Sequence, residues 1–77
     1  MSNDLLTRLR HDLDARRSPA ERKRLRKAAG LTRRALAQYV PCHEGTLYRW
    51  ETGEANPSGE VGRAYEAILD ELERRTS

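Results

Sequence analysis

Pro41 stands between Gly30 and Gly53, and together the three residues leave room for two short helices joined by a tight turn. The residue before a proline is pushed out of the helical region, so no single helix runs through this stretch. On the first side Thr32 stands where a cap belongs, and Leu36, Ala37 and Val40 share one face at helical spacing. That predicts a helix over 32–39. On the second side Leu47 and Trp50 form the buried stripe of a helix over 44–51, which Gly53 stops. Periodicity predicts a helix pair here and nothing more specific.

The flanks read as helices too. Residues 3–17 carry Leu5, Leu6, Leu9 and Leu13 on one stripe, with Asn3 placed as a cap. Ser18-Pro19-Ala20-Glu21 then signals a new start: Ser18 caps, Pro19 fills the first helical position, and Glu21 reaches back as in a capping box. This helix runs to Ala29 and is stopped by Gly30. Asn56-Pro57-Ser58 makes a turn and a cap. A last helix over 58–75 then buries Val61, Tyr65, Ile68 and Leu72, with Ala64 and Leu69 flanking. The expected fold is all-α, five helices in a single domain over 1–77. Its parts are an extra N-terminal helix over 3–17, a core motif region over 19–58 and a long C-terminal helix over 58–75.

Composition narrows the classes. With 77 residues, a core this small rarely supplies more than about 3–5 kcal/mol of net stability, so self-association is one way to gain more. The lone Cys42 has no partner for an intramolecular disulfide, which suits a reducing cytoplasm. No apolar run approaches the roughly 20 residues of a membrane span, and no secretion-signal pattern opens the chain. The net charge of +3 is unevenly spread. Residues 8–34 hold eleven Arg or Lys against Asp12, Asp14 and Glu21, whereas residues 35–77 hold four Arg against eight acids. A basic half suits a phosphate backbone. Solvated, Arg-rich helix faces explain the same numbers, and only the coincidence with the helix pair favours nucleic acid.

Taken in order, Leu25-Arg26, Ala29-Gly30-Leu31-Thr32, Leu36-Ala37, Thr46-Leu47, Arg49-Trp50-Glu51, Gly53 and Asn56-Pro57-Ser58 resemble the lambda-repressor-like helix-turn-helix family, the Cro/repressor or XRE class. The match spans 22–58 in register and without a gap. It implies a lambda-repressor-like bundle whose helix 44–51 enters the DNA major groove. It also implies that Arg26 and Glu51 pair across the domain. Four positions depart from the family pattern. One long final helix replaces two short ones, and Arg22 stands where an apolar residue is usual. Glu54 occupies a position that is commonly basic. Pro41 replaces a turn glycine that is often at positive φ, which proline cannot adopt, so the turn must be built differently.

With Leu47 and Trp50 inward, helix geometry turns Glu44, Gly45, Tyr48 and Arg49 the other way. The base-contacting positions of the family map onto these four. Arg49 has the planar fork that matches guanine. Glu44 suits a cytosine amine, or simply the positive start of its helix. Tyr48 suits a thymine methyl or a phosphate. Gly45 offers no side chain, which shifts weight towards DNA shape. Thr32, Arg33, His43 and Asn56 are the expected DNA-backbone contacts. Thr32 and Arg33 lie at a helix start, where N–H groups and a cation meet phosphate. Arg34, Arg22 and Lys23 are further candidates. Trp50 reads as a core anchor rather than a base-stacking platform, since Leu47 shares its face.

Catalytic chemistry is not expected. Cys42 and His43 are adjacent, His11 is the other histidine, and no metal-ligand spacing results. There is no Gly-rich phosphate loop, nucleophile elbow or carboxylate pair, so no catalytic residue, metal, cofactor or small-molecule substrate is assigned. The resulting reading is a sequence-specific transcriptional regulator of double-stranded DNA, a small phage or bacterial repressor. It works as a homodimer in the cytoplasm, away from membranes. Two alternatives stand beside it. Thr46-Leu47-Tyr48-Arg49-Trp50 and Val61-Gly62-Arg63 are also similar to excisionase-type recombination accessory proteins. Glu54, Gly45 and the acidic final helix suit a protein-interaction module, antitoxin-like or polymerase-binding.

Overall fold

Local chemistry sets each helix boundary in the computed structural model, which describes Leu5, Leu6 and residues 17–76. The Ser18 hydroxyl accepts from the Glu21 amide at 3.1 Å and Pro19 sits in the first turn, starting α1 over Pro19–Ala28. The Glu21 carboxylate does not reach back to complete a capping box. Arg24, one turn on, holds it at 2.9 and 3.0 Å with two charged donors. Gly30, at φ 74°, closes the helix: its amide reaches the Lys27 carbonyl while the Leu31 amide reaches that of Arg26.

Thr32 caps α2, its hydroxyl accepting from the Ala35 amide at 3.0 Å. The helix covers only Arg33–Ala37, shorter than the expected 32–39, and tails off through turns to Val40, whose amide bonds the Leu36 carbonyl. The following turn uses no left-handed residue, since positive φ among the described residues is confined to glycine. Instead the Cys42 amide donates to the Val40 carbonyl across Pro41. This is the three-residue inverse γ-turn, for which the fixed proline φ of about −65° is nearly preset. α3 then begins at the expected Glu44 and runs to Thr52. Its cap is the imidazole of His43, whose Nδ1 accepts from the Gly45 amide at 3.2 Å. Gly53 stops it at φ 89°.

α4 covers Gly59–Thr76 as one 18-residue helix. Gly62 lets it start close to the preceding turn: a Cβ there would lie 2.7 Å from the Pro57 carbonyl carbon. Four helices thus stand among the described residues, with no strand. The fifth, expected over 3–17 with an Asn3 cap and Leu9 and Leu13 on its stripe, lies outside them, except that Leu5 and Leu6 are helical and exposed.

α1 packs on α3 and α4, and α2 packs on α3. The core between them is Leu25, Leu36, Val40, Leu47, Trp50, Tyr65 and Leu69. Trp50 and Tyr65 form its aromatic centre, with ring centroids 4.8 Å apart and planes tilted by 39°. The α4 stripe is rotated from the expected one. Tyr65 and Leu69 are fully buried, whereas Val61, Ile68 and Leu72 are only partly so. Leu69 faces into the packed elements, while Ile68 and Leu72 help line an open groove of about 790 Å³ with Ala28, Leu31 and Tyr39.

Candidate nucleic-acid interface

The position of α3 depends on one buried carboxylate. Glu51 accepts from Arg26 Nε at 2.7 Å and Nη2 at 3.0 Å, and its side chain has no exposed surface. The third nitrogen of Arg26, Nη1, donates to the Leu31 carbonyl at 2.7 Å. One arginine therefore ties the end of α3 to α1 and to the α1–α2 turn. A third donor, Arg33 Nε at the start of α2, reaches Glu51 Oε1 at 3.1 Å. A buried carboxylate so supplied is oriented at both oxygens, which fixes α3 against both preceding helices.

Arg22 does a related task by a different route. Its side chain is 2 % exposed, and its Nη1 donates to the Trp50 carbonyl at 3.1 Å. A cation at the C-terminal turn of α3 meets carbonyls that have no helical partner. Glu66 stands 3.9 Å from Arg22 Nε, which makes no hydrogen bond. This corrects the expectation of Arg22 as a phosphate contact: its guanidinium is spent inside. The signal was present in the spacing, since Arg22, Leu25 and Arg26 lie on one stripe of α1 and all three are buried.

The opposite side of α3 is open. Glu44, Tyr48 and Arg49 are exposed, with Gly45 half-buried at the start of the helix. Among the described residues neither the Glu44 carboxylate nor the Arg49 guanidinium makes a hydrogen bond or ion pair. Thr32, His43 and Asn56 are exposed as well. Thr32 and His43 already accept cap bonds, which leaves the Thr32 O–H and the second imidazole nitrogen outside those bonds. Arg33 differs from its expected free state. Besides Glu51, its guanidinium carbon lies 5.0 Å from the centroid of the Tyr48 ring. Sequence spacing carries no sign of that stack, because the two residues belong to different helices.

Arg34 and Lys23 are exposed and their side chains have no partner among the described residues, as is true of Lys27 and Arg63. Arg17 is not: it binds Glu66 at 2.7 Å and Asp70 and Glu73 at 2.6 Å, all on α4. Cys42 is packed against the core, and burial pushes its thiol above the ordinary value, away from the reactive thiolate. Its neighbour His43 is engaged as a cap rather than as a base. Among the described residues no three His, Cys, Asp or Glu side chains are grouped to hold a metal, and no helix is long and apolar enough to cross a membrane.

A helix-turn-helix family profile matches residues 23–73, which include all of α2, the Pro41 turn, α3 and most of α4. The chain belongs to the Cro/repressor-type helix-turn-helix family. Members of this family are DNA-binding regulators, and the matched range takes in residues 23–58 of the resemblance noted above. No curated protein and no solved structure gives a significant match.

Proposed function

We propose that the protein is a sequence-specific transcriptional repressor of phage or bacterial type, one domain over 1–77, that lays α3 in the major groove of double-stranded DNA. The observation that carries this reading is the outer face of α3. Arg49 is an exposed arginine whose guanidinium has no partner among the described residues, on a helix whose inner face is held by Leu47, Trp50 and Glu51. Its fork is therefore available for a guanine edge, a contact worth about 1–3 kcal/mol of discrimination. Glu44 and Tyr48 are the neighbouring readers, and Gly45 leaves that point of the surface to DNA shape. Thr32, His43 and Asn56 position the phosphate backbone, with Lys23 and Arg34 adding sequence-independent attraction.

One such helix touches few bases. The repressor acts as a cytoplasmic homodimer on an inverted repeat, with half-sites about 34 Å apart on one face of the duplex. The groove lined by Leu31, Tyr39, Ile68 and Leu72 supports self-association, because it leaves apolar surface uncovered among the described residues. Selection of bound fragments from random double-stranded DNA tests the reading. Wild type enriches an inverted repeat, and Arg49→Ala relaxes the preference at one base pair per half-site while melting as wild type does. Equal selectivity in the two proteins removes Arg49 as a reader. A persistent one-to-one complex in sedimentation, on a selected site with no repeat, removes the dimer.

A further inference from the structure

We infer that Arg33 sets the sequence preference of the protein by holding Tyr48, and is not a general phosphate contact. The argument rests on the reading of α3 as the groove-entering helix. Arg33 is anchored at one end, since its Nε bonds Glu51, a carboxylate with no exposed surface that Arg26 holds through two further bonds. The guanidinium beyond that anchor stands 5.0 Å from the centroid of the Tyr48 ring. Tyr48 itself is 49 % exposed, and its hydroxyl makes no hydrogen bond among the described residues. An exposed tyrosine on a helix is free to change rotamer, and a planar cation fixed over one face of its ring removes that freedom.

The arrangement couples three parts of the domain. Arg26 on α1 orients Glu51, Glu51 orients Arg33 on α2, and Arg33 presents the Tyr48 ring on the exposed side of α3. The ring is thereby offered in one pose to a base edge with an apolar group, of which the thymine methyl is the major-groove example. Lysine cannot replace arginine in this role. It keeps the charge but lacks the flat fork that can bond Glu51 and cover a ring at once.

Parallel selections from random double-stranded DNA, with thermal melts of each protein, separate the roles. Arg33→Ala, Arg33→Lys and Tyr48→Ala are expected to lose preference at one and the same base pair by about threefold or more. Tyr48→Phe, which keeps the ring, retains it. The double variant Arg33→Ala with Tyr48→Ala is no worse there than either single change, because both remove one unit. If Arg33→Ala does not fold, Arg33→Lys and the two Tyr48 variants decide the matter. Uniform weakening on all sequences with base preferences intact overturns the inference, and so does wild-type preference in Arg33→Lys. A wild-type protein with no sequence preference removes the reading of α3 and this inference with it. Preference that depends on Arg49 but not on Arg33 removes this inference alone.

Discussion

α1 and α3 both carry charge, and they dispose of it in opposite ways. On α1, Arg22 and Arg26 are buried and Arg24 is paired with Glu21. Just before it, Arg17 is shared among three carboxylates of α4. On α3, Glu51 is turned inward while Glu44 and Arg49 face out without partners. Among the described residues the basic half of the sequence is thus only in part a basic surface. Most of the arginines described there hold the fold, and the free cations on view are few. A run of arginines in a chain this small reports on construction as much as on ligand, and the partnerless Arg49 on the weakly charged α3 is the better pointer to a binding face.

The comparison breaks most visibly at Arg26. Arg26→Met leaves a fully buried Glu51 with the single Arg33 bond in place of three, and the expected cost is about 3–5 kcal/mol in a denaturant series. Adding Glu51→Leu recovers part of the loss, since no unpaired carboxylate remains. Independent, small effects of the two changes would show that the pair contributes nothing in solution.

A smaller effect is expected at Tyr65, whose buried hydroxyl has no partner. Burial, with the Glu51 charge adding to it, pushes this phenol well above its ordinary value of 10.0. A proton held more tightly in the folded state supports folding fully below pH of about 10 and ceases to do so as the pH climbs further. Tyr65→Phe should therefore gain about 1 kcal/mol at neutral pH and flatten the alkaline loss of stability. Melts from pH 7 to 11 measure both.

Arg22→Leu sharpens the contrast within α1. This arginine satisfies one carbonyl but leaves its own Nε unbonded. Its replacement by an apolar side chain is expected to stay within about 1 kcal/mol of wild type, far from the cost at Arg26. At the bottom of the scale, Arg49→Ala should change stability by less than about 0.5 kcal/mol, because nothing in the fold uses its guanidinium. Unfolding curves of the two variants, run beside Arg26→Met, give the full ranking.

What could be read in the chain was what neighbours in sequence decide. Ser18-Pro19, Thr32, Gly30 and Gly53 mark their helix ends because capping involves residues two to five positions apart. Leu36, Val40, Leu47 and Trp50 entered the core because a single stripe placed each. What escaped depends on residues far apart. Glu21 chose Arg24 over the cap, and Leu69 took the deep position that Leu72 was expected to share. Arg22 found its carbonyl 28 positions away, and Arg33 found Tyr48 on another helix. For the interface, the outward set Glu44, Tyr48 and Arg49 followed from helix geometry, whereas the occupied state of Arg33 needed the tertiary packing.

The turn at Pro41 bears on how this domain meets a rigid partner. A glycine at that place leaves the angle between two helices to packing alone and gives the unfolded chain more conformations to lose. Here the pyrrolidine ring itself holds the bend, with the Val40 carbonyl and Cys42 amide closing it. On the proposed function α3 is delivered at a preset pitch, so little ordering remains to be done when a duplex arrives, and the same stiffness limits its adjustment to a site that presents its bases at another angle.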